Sequence, residues 1–139
     1  MKSAYSNTVD DVFLVNLRTI SDTRGTLVPV DPNVDDIFRI NRMFYVYGLT
    51  AEIRGKHAHR KTNQFFICMN GECIIRCDDG HEKKEFLLKE RNVGLYMPTM
   101  IWSEQEYLSK DTVLLVLCDD NYDESEYIRD YNTFLEEVK

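Results

Sequence analysis

Residues 52–71 read EIRGKHAHRKTNQFFICMNG, and this stretch decides the architecture. It holds two short strand signals, Ile53–His59 and Asn63–Met69, and closes on Asn70-Gly71. Asn-Gly after an apolar run is a strong hairpin signal, because both turn positions of a tight hairpin need positive φ. Alternation along the first strand puts His57 and His59 on one face, about 6–7 Å apart at their backbones. Two imidazoles then share one space, where they can ligate a metal or move protons.

The same pattern extends in both directions. Further strand signals lie at Val12–Ile20, Thr26–Val30, Asn41–Tyr47, Glu72–Cys77, Glu82–Leu88, Val93–Met97, Ile101–Glu106 and Thr112–Leu117. Turn-forming clusters separate them at Asp22–Gly25, Asp31–Asn33, Asp79-Gly80 and Ser109–Asp111. Asn63 to Leu88 reads as three strands linked by hairpins at Asn70-Gly71 and Asp79-Gly80. Many short strands without intervening helices predict an all-β sandwich or barrel. The period changes at the end: Tyr127, Ile128, Tyr131, Phe134, Leu135 and Val138 recur at helical spacing, predicting a C-terminal helix from about Glu124. Asp123 and Glu126 have capping-box spacing at its start, which leaves Tyr127, Tyr131 and Phe134 as helix packing.

The 139 residues suit a single domain, 1–139, able to bury a core without disulfides or metals. With 43% apolar and 29% charged residues, disorder is excluded. No apolar run approaches the roughly 20 residues a membrane helix needs, and the polar start Met1–Asp10 offers no signal-peptide core, so the expected address is the cytoplasm. The net charge of −7 is concentrated in residues 119–139, with eight acids against two bases, while the other 118 residues carry 16 acids and 15 bases. A broad basic face for nucleic acid is therefore disfavoured. Arg54, Lys56, Arg60 and Lys61 nevertheless form a local basic island around the two histidines, suited to a small anionic ligand. The four cysteines, Cys68, Cys73, Cys77 and Cys118, read as reduced, buried thiols without function. A two-residue turn at Asn70-Gly71 would set Cys68 across from Cys73.

His57-x-His59, Gln64 and Gly71 together resemble the first motif of the cupin β-barrels, and Pro98 to Ser103 resembles the second. Gln64 stands where the first motif has glutamate, and Ser103 where the second has histidine. Two of four usual metal ligands are thus an amide and a hydroxyl, a poor donor set for a borderline divalent ion. The resemblance implies an all-β cupin, a double-stranded β-helix or jelly-roll barrel with a short C-terminal helix, here without a metal.

Nearly end to end the chain resembles the bacterial sugar 3,4-ketoisomerases that act on dTDP-4-keto-6-deoxyglucose. The residues carrying the resemblance include Ser21–Leu27, Arg42–Tyr47, Arg54–His59, Gln64, Asn70-Gly71, Ile101-Trp102 and Tyr122–Arg129. The resemblance implies a cytoplasmic, metal- and cofactor-independent homodimer with a dTDP-sugar substrate and neither nucleic acid nor membrane as partner. Moving a ketone from C4 to C3 takes a base near neutrality, an acid at the adjacent carbon and donors for an enediolate oxygen. His57 and His59 suit the proton transfers at C3 and C4, in an order left open here. Tyr45 matches the family's active-site tyrosine. Arg24 and Arg54, with Arg42 behind them, can grip a pyrophosphate. Gln64 can bond a sugar hydroxyl, and Trp102 can wall the sugar. The residues after Arg24-Gly25 and Trp102, associated with the product's C4 configuration, are Thr26 and Ser103, small hydroxyls where bulkier or basic side chains are expected. Rival readings are a 3,5-epimerase, which would also exchange C5, a non-catalytic cupin that binds a sugar nucleotide, and a metal-dependent cupin.

Overall fold

The computed structural model describes residues 7–48 and 52–139; residues 1–6, part of the polar start discussed above, lie outside it. Twelve strands form along the described chain. They are β1 (Phe13–Asn16), β2 (Ile20–Asp22), β3 (Gly25–Leu27), β4 (Arg42–Tyr47), β5 (Arg54–His59), β6 (Gln64–Asn70), β7 (Cys73–Asp78), β8 (Lys83–Leu88), β9 (Val93–Met97), β10 (Trp102–Tyr107), β11 (Val113–Cys118) and β12 (Tyr127–Ile128). Two short helices, α1 (Pro32–Asp35) and α2 (Tyr131–Glu137), complete the elements beside two single 3₁₀ turns. Two five-stranded antiparallel sheets, in the orders β1-β9-β6-β11-β4 and β12-β5-β10-β7-β8, face each other as a jelly-roll barrel. β2 and β3 form a separate ribbon.

Alternation along each strand sorts the core. Phe66 and Cys68 of β6, Leu114, Val116 and Cys118 of β11, and Cys73, Ile75 and Cys77 of β7 meet between the sheets. β11 is apolar on both faces, because its outward Leu115 and Leu117 are covered by Val28, Val30, Ile37, Phe38 and Ile40 of the segment around α1. Such doubly buried strands lose the polar alternation of a one-sided sheet. On the outside of the other sheet, Ala58, Trp102 and Ile128 pack beneath Phe134 and Val138 of the C-terminal segment.

Three expectations are corrected. Asn70-Gly71 does not close a hairpin: β6 pairs with β9 and β11, so both its edges are taken, and the chain turns a corner into the other sheet. Gly71 has φ +74°, and a Cβ there would lie 2.5 Å from Thr112 Oγ1, so the corner requires glycine. Cys68 and Cys73 accordingly lie in different sheets rather than across a turn, and all four thiols are free and buried. The Asp79-Gly80 hairpin between β7 and β8 does form, with Asp78 facing Lys83. The run Val12–Ile20 is not one strand, since Leu17 leaves the sheet to bond Asn92 between β1 and β2. The C-terminal helix begins at Tyr131, capped by the Asp130 side chain on the Thr133 N–H. Asp123 caps only one 3₁₀ turn, and Tyr127-Ile128 pair with His59 and Ala58 of β5 as a strand.

Candidate active site

β5 carries the site. It lies between β10 and β12, and its pairing with β10 slips by one residue: His57 faces Ser103, Gly55 faces Glu104, and Arg54 faces Gln105. Lys56 is the extra residue of a β-bulge, with φ +53° beside Gly55 at +87°. Strict alternation would put Arg54 and His57, three residues apart, on opposite faces. The bulge returns Arg54 to the face of the histidines, beside the inward Gln105. Arg54 is exposed and close enough to Tyr107 for their charges to interact.

At the barrel mouth the two imidazoles stand edge to face, ring centres 4.9 Å apart. Tyr127 of β12 lies 4.3 Å from the His59 ring and 5.1 Å from the His57 ring. Arg129 covers the outer side of Tyr127 at 4.5 Å and is held by both oxygens of Glu124. From the facing sheet come Arg42, Gln64 and Cys118. The Arg42 guanidinium lies 5.3 Å from the Tyr122 ring and 5.1 Å from the Phe44 ring. Arg42 Nη2 and Gln64 Nε2 both donate toward the Cys118 sulfur, at 3.7 and 3.6 Å.

The hydrogen bonds fix the imidazole tautomers. His57 Nδ1 lies 2.9 Å from the Gly55 carbonyl, which can only accept, so this nitrogen bears the proton. His59 Nδ1 lies 2.5 Å from Glu126 Oε2. Glu126 Oε1 in turn accepts the backbone N–H groups of Lys61 and Thr62 at 3.1 and 2.9 Å. Burial acts against ionisation of Glu126, but the bonds from His59, Thr62 and Lys61 outweigh it and hold its carboxyl below the usual range. Burial depresses both imidazoles. His57 falls to about 4, with the neighbouring His59 adding to the effect, and His59 falls despite the pull of Glu126. Both rings are therefore neutral near pH 7. Two buried atoms here, His59 Nε2 and Arg42 Nε, have no hydrogen-bond partner among the described residues. Unpaired buried polar atoms are costly, and these two belong to residues near enough for the Arg42 charge to act on His59, so both are candidates to meet a ligand.

The structure thus puts His57, His59, Ser103 and the exposed Arg54 on one face of the β5–β10 pair, with Arg42 and Gln64 coming from the facing sheet. Three other sequence candidates lie elsewhere. Trp102 faces outward with Ala58 beneath α2, its ring 5.3 Å from Tyr131, because odd and even positions of a strand point oppositely. It lines an outer cleft of about 290 Å³ with Arg76, Asp78, Lys83, Glu104 and Tyr131, and does not wall the histidine compartment. Tyr45 is 61% exposed on the outward face of β4, stacked on Tyr47. Arg24 is exposed in the β2–β3 turn and ion-paired with Asp22. A cavity of about 760 Å³ beside the ribbon contains Thr26, Lys89 and Arg91 but neither histidine. Among the described residues no three His, Cys, Asp or Glu side chains are disposed to hold a metal ion, and no helix is long and apolar enough to cross a membrane.

The sequence reading missed Glu126 and Tyr127, which it consigned to a helix. The available signal was Asp130, an equally good cap whose choice leaves Tyr127-Ile128 extended.

Comparison with known proteins gives a consistent family. The model of the family described as FdtA: WxcM-like, C-terminal matches residues 10–139. The TDP-4-oxo-6-deoxy-alpha-D-glucose-3,4-oxoisomerase of Aneurinibacillus thermoaerophilus is 40% identical over 122 residues, which are 87% of this chain and 88% of that one. QdtA, a sugar 3,4-ketoisomerase from Thermoanaerobacterium thermosaccharolyticum solved with TDP, superposes with a TM-score of 0.87 at 36% identity, over 91% of this chain and 93% of QdtA. WlaRA, a TDP-fucose-3,4-ketoisomerase from Campylobacter jejuni, gives 0.87 at 38% identity, over 93% of this chain and 96% of its own.

Proposed function

The chain belongs to the FdtA, WxcM-like C-terminal family, and from this premise we infer that it is a sugar 3,4-ketoisomerase acting on dTDP-4-keto-6-deoxyglucose. Its product is a dTDP-3-keto-6-deoxyhexose. The observation that carries the reading is the pair of neutral, adjacent imidazoles, His57 and His59, in a buried compartment with an orphaned ring nitrogen.

The reaction moves hydrogen within one molecule and has no net redox change. A histidine takes the C3 proton, and the electrons of the C3–H bond form an enediolate across C3 and C4. The proton is then returned to C4, while the 3-hydroxyl proton passes to O4. Neutral imidazoles suit the first step, since a protonated ring cannot accept. Arg42 supplies a fixed positive charge and an unpartnered N–H for the developing oxyanion. Gln64 and Ser103 are assigned to sugar hydroxyls, and Arg54, at the exposed start of β5, to the pyrophosphate, where a guanidinium binds bidentately.

Homodimer formation and a cytoplasmic site of action are part of the same proposal. Within one chain Arg24 and Tyr45 stand apart from the histidines, so a part for either in binding or catalysis requires a second copy.

Proton NMR with dTDP-4-keto-6-deoxyglucose in D₂O tests the reading. A 3-keto species bearing deuterium at C4 is expected, and the coupling at C4 assigns the gluco or galacto product that Thr26 and Ser103 accompany. Exchange at C5 as well would make the protein an epimerase, and no exchange by folded protein would leave it a binding module.

A further inference from the structure

We propose that the outer cleft beside the start of α2 is a second binding site, built for a neutral pyranose ring. It lies on the opposite side of the sheet from the histidines, and the ketoisomerase reading makes no use of it.

Strand register assembles the floor of the cleft. Across β10, β7 and β8, Trp102 faces Asp78, Asp78 faces Lys83, and Glu104 faces Arg76. Directly opposed residues of paired strands share a face, so these five side chains stand together on the outside of the sheet. Ser103, between Trp102 and Glu104, points the other way, because neighbours in a strand alternate. Tyr131, the first residue of α2, closes one end. Its ring meets the Trp102 ring nearly edge-on, at 5.3 Å and 75°, and its hydroxyl donates to Asp78 Oδ2 at 2.6 Å. The cleft that these six residues line has a volume of about 290 Å³.

Some of its polar groups are already matched. Asp78 is buried with both oxygens in use, since Oδ1 accepts the Gly80 N–H at 2.8 Å. Arg76 is compensated by two carboxylates, Glu85 at Nε and Glu106 at Nη2. Other groups are not matched. Among the described residues, the Lys83 ammonium, the Glu104 carboxylate and the Trp102 indole N–H have no hydrogen-bond or ion-pair partner. An occupant of the cleft therefore meets two donors and an acceptor with unused capacity, beside an aromatic corner.

Charge and size select the ligand class. Arg76 and Lys83 balance Asp78 and Glu104, and Glu85 and Glu106 behind Arg76 add two further acids. An anion would enter a surround with an excess of negative charge, and a cation would share the cleft with a lysine and an arginine. A neutral ligand incurs neither repulsion. Each hydroxyl group both donates and accepts, so a hydroxylated ring can satisfy Lys83, Glu104 and the indole N–H together, with its C–H face against the aromatic corner. The volume lies at the bottom of the roughly 300–1,000 Å³ that drug-sized ligands occupy, which suits one ring and not a whole nucleotide sugar. A pyranose combines these properties.

Trp102 is the only tryptophan of the chain, so one indole N–H peak in a ¹⁵N–¹H spectrum reports on this cleft. Methyl β-D-glucopyranoside and methyl β-D-galactopyranoside should be titrated into the full-length protein, with and without saturating dTDP. At least one of them is expected to move the peak saturably, and equally in both series. Lys83→Ala, at an exposed position of an edge strand, and Glu104→Gln should each weaken this binding by about tenfold or more.

Absence of saturable movement with both glycosides would overturn the proposal. So would movement that dTDP abolishes, which would put the glycoside in the histidine compartment, or binding left undiminished by both substitutions. Acetate or tetramethylammonium moving the peak saturably where the glycosides do not would overturn the ligand class. Failure of the protein to exchange protons at C3 and C4 would bring down the ketoisomerase reading and leave this site standing.

Discussion

At the scale of single residues, burial keeps two adjacent imidazoles uncharged where water would charge them more readily, and the proposed chemistry draws on that. His57→Asn and His59→Asn should each lower turnover by a factor on the order of 10² or more while leaving the far-UV spectrum and substrate affinity nearly unchanged. Near wild-type turnover in both would end the histidine mechanism. The same burial makes stability depend on pH. His57 titrates at about 4 in the folded protein against an ordinary 6.5. Between these values the unfolded chain binds a proton that the folded chain does not, so stability rises with pH across the window and falls as pH is lowered through it. The loss attributable to this ring is at most roughly 3 kcal/mol, complete below about pH 4. Urea unfolding at pH 7 and pH 4.5 should show the drop, and His57→Asn should flatten it. An equal drop in the variant would assign the effect to other groups.

At the scale of elements, β5 shows how one inserted residue changes what a strand presents. Without the bulge at Gly55-Lys56, Arg54 would point away from the histidines; with it, the guanidinium and the two imidazoles share a face. Gly55 is the hinge of this arrangement, because a Cβ there would come within 3.1 Å of the Ser103 carbonyl and the residue has φ +87°. Gly55→Ala should destabilise the protein by about 1–3 kcal/mol and raise KM, by forcing the strand toward regular alternation. Arg54→Ala should raise KM more than it lowers kcat. A Gly55→Ala enzyme with unchanged KM would mean that the bulge does not aim Arg54 at the substrate, and an effect of Arg54→Ala confined to kcat would place that residue at the reacting centre. β12 has a comparable role. Two residues of pairing with β5 suffice to bring Tyr127 over both histidines and, through the preceding turn, to bury Glu126 behind His59.

For the whole molecule, the edges of the two sheets are unequal. β8 is guarded by Lys83, Lys84 and Glu85, and β12 is only two residues long, both familiar ways of blunting an edge. β4 is six residues long, and its outward face shows Met43, Tyr45 and Tyr47 at 64, 61 and 71% exposure. An apolar edge of this kind invites pairing with a second copy. Sedimentation velocity should give a dimer for the wild-type protein and a monomer for Tyr45→Lys/Tyr47→Lys. A wild-type monomer, or a dimer that the double substitution leaves intact, would remove β4 from the interface.

What the sequence determined by itself is whatever is encoded over a few residues. Alternation placed ten of the twelve strands, β1 and β3 to β11, allowing for the break that divides Val12–Ile20. It also put His57 beside His59, because a two-residue period needs no knowledge of the rest of the chain. Gln64 and Arg42 could be assigned to the site through the family resemblance, and the fold turned them inward with the histidines. Tertiary structure decided everything that depends on which strand lies beside which. Asn70-Gly71 has the chemistry of a hairpin, yet it forms a corner because β9 and β11 already occupy both edges of β6. Trp102, adjacent to Ser103 in sequence, lies on the opposite side of the sheet. Glu126 reads as a surface acid at a helix start, and only the pairing of Tyr127 with His59 buries it as the partner of a histidine 67 positions away. Local patterns fix which face of a strand is apolar, but a site formed where two sheets meet is fixed by long-range pairing, which no short window of sequence contains.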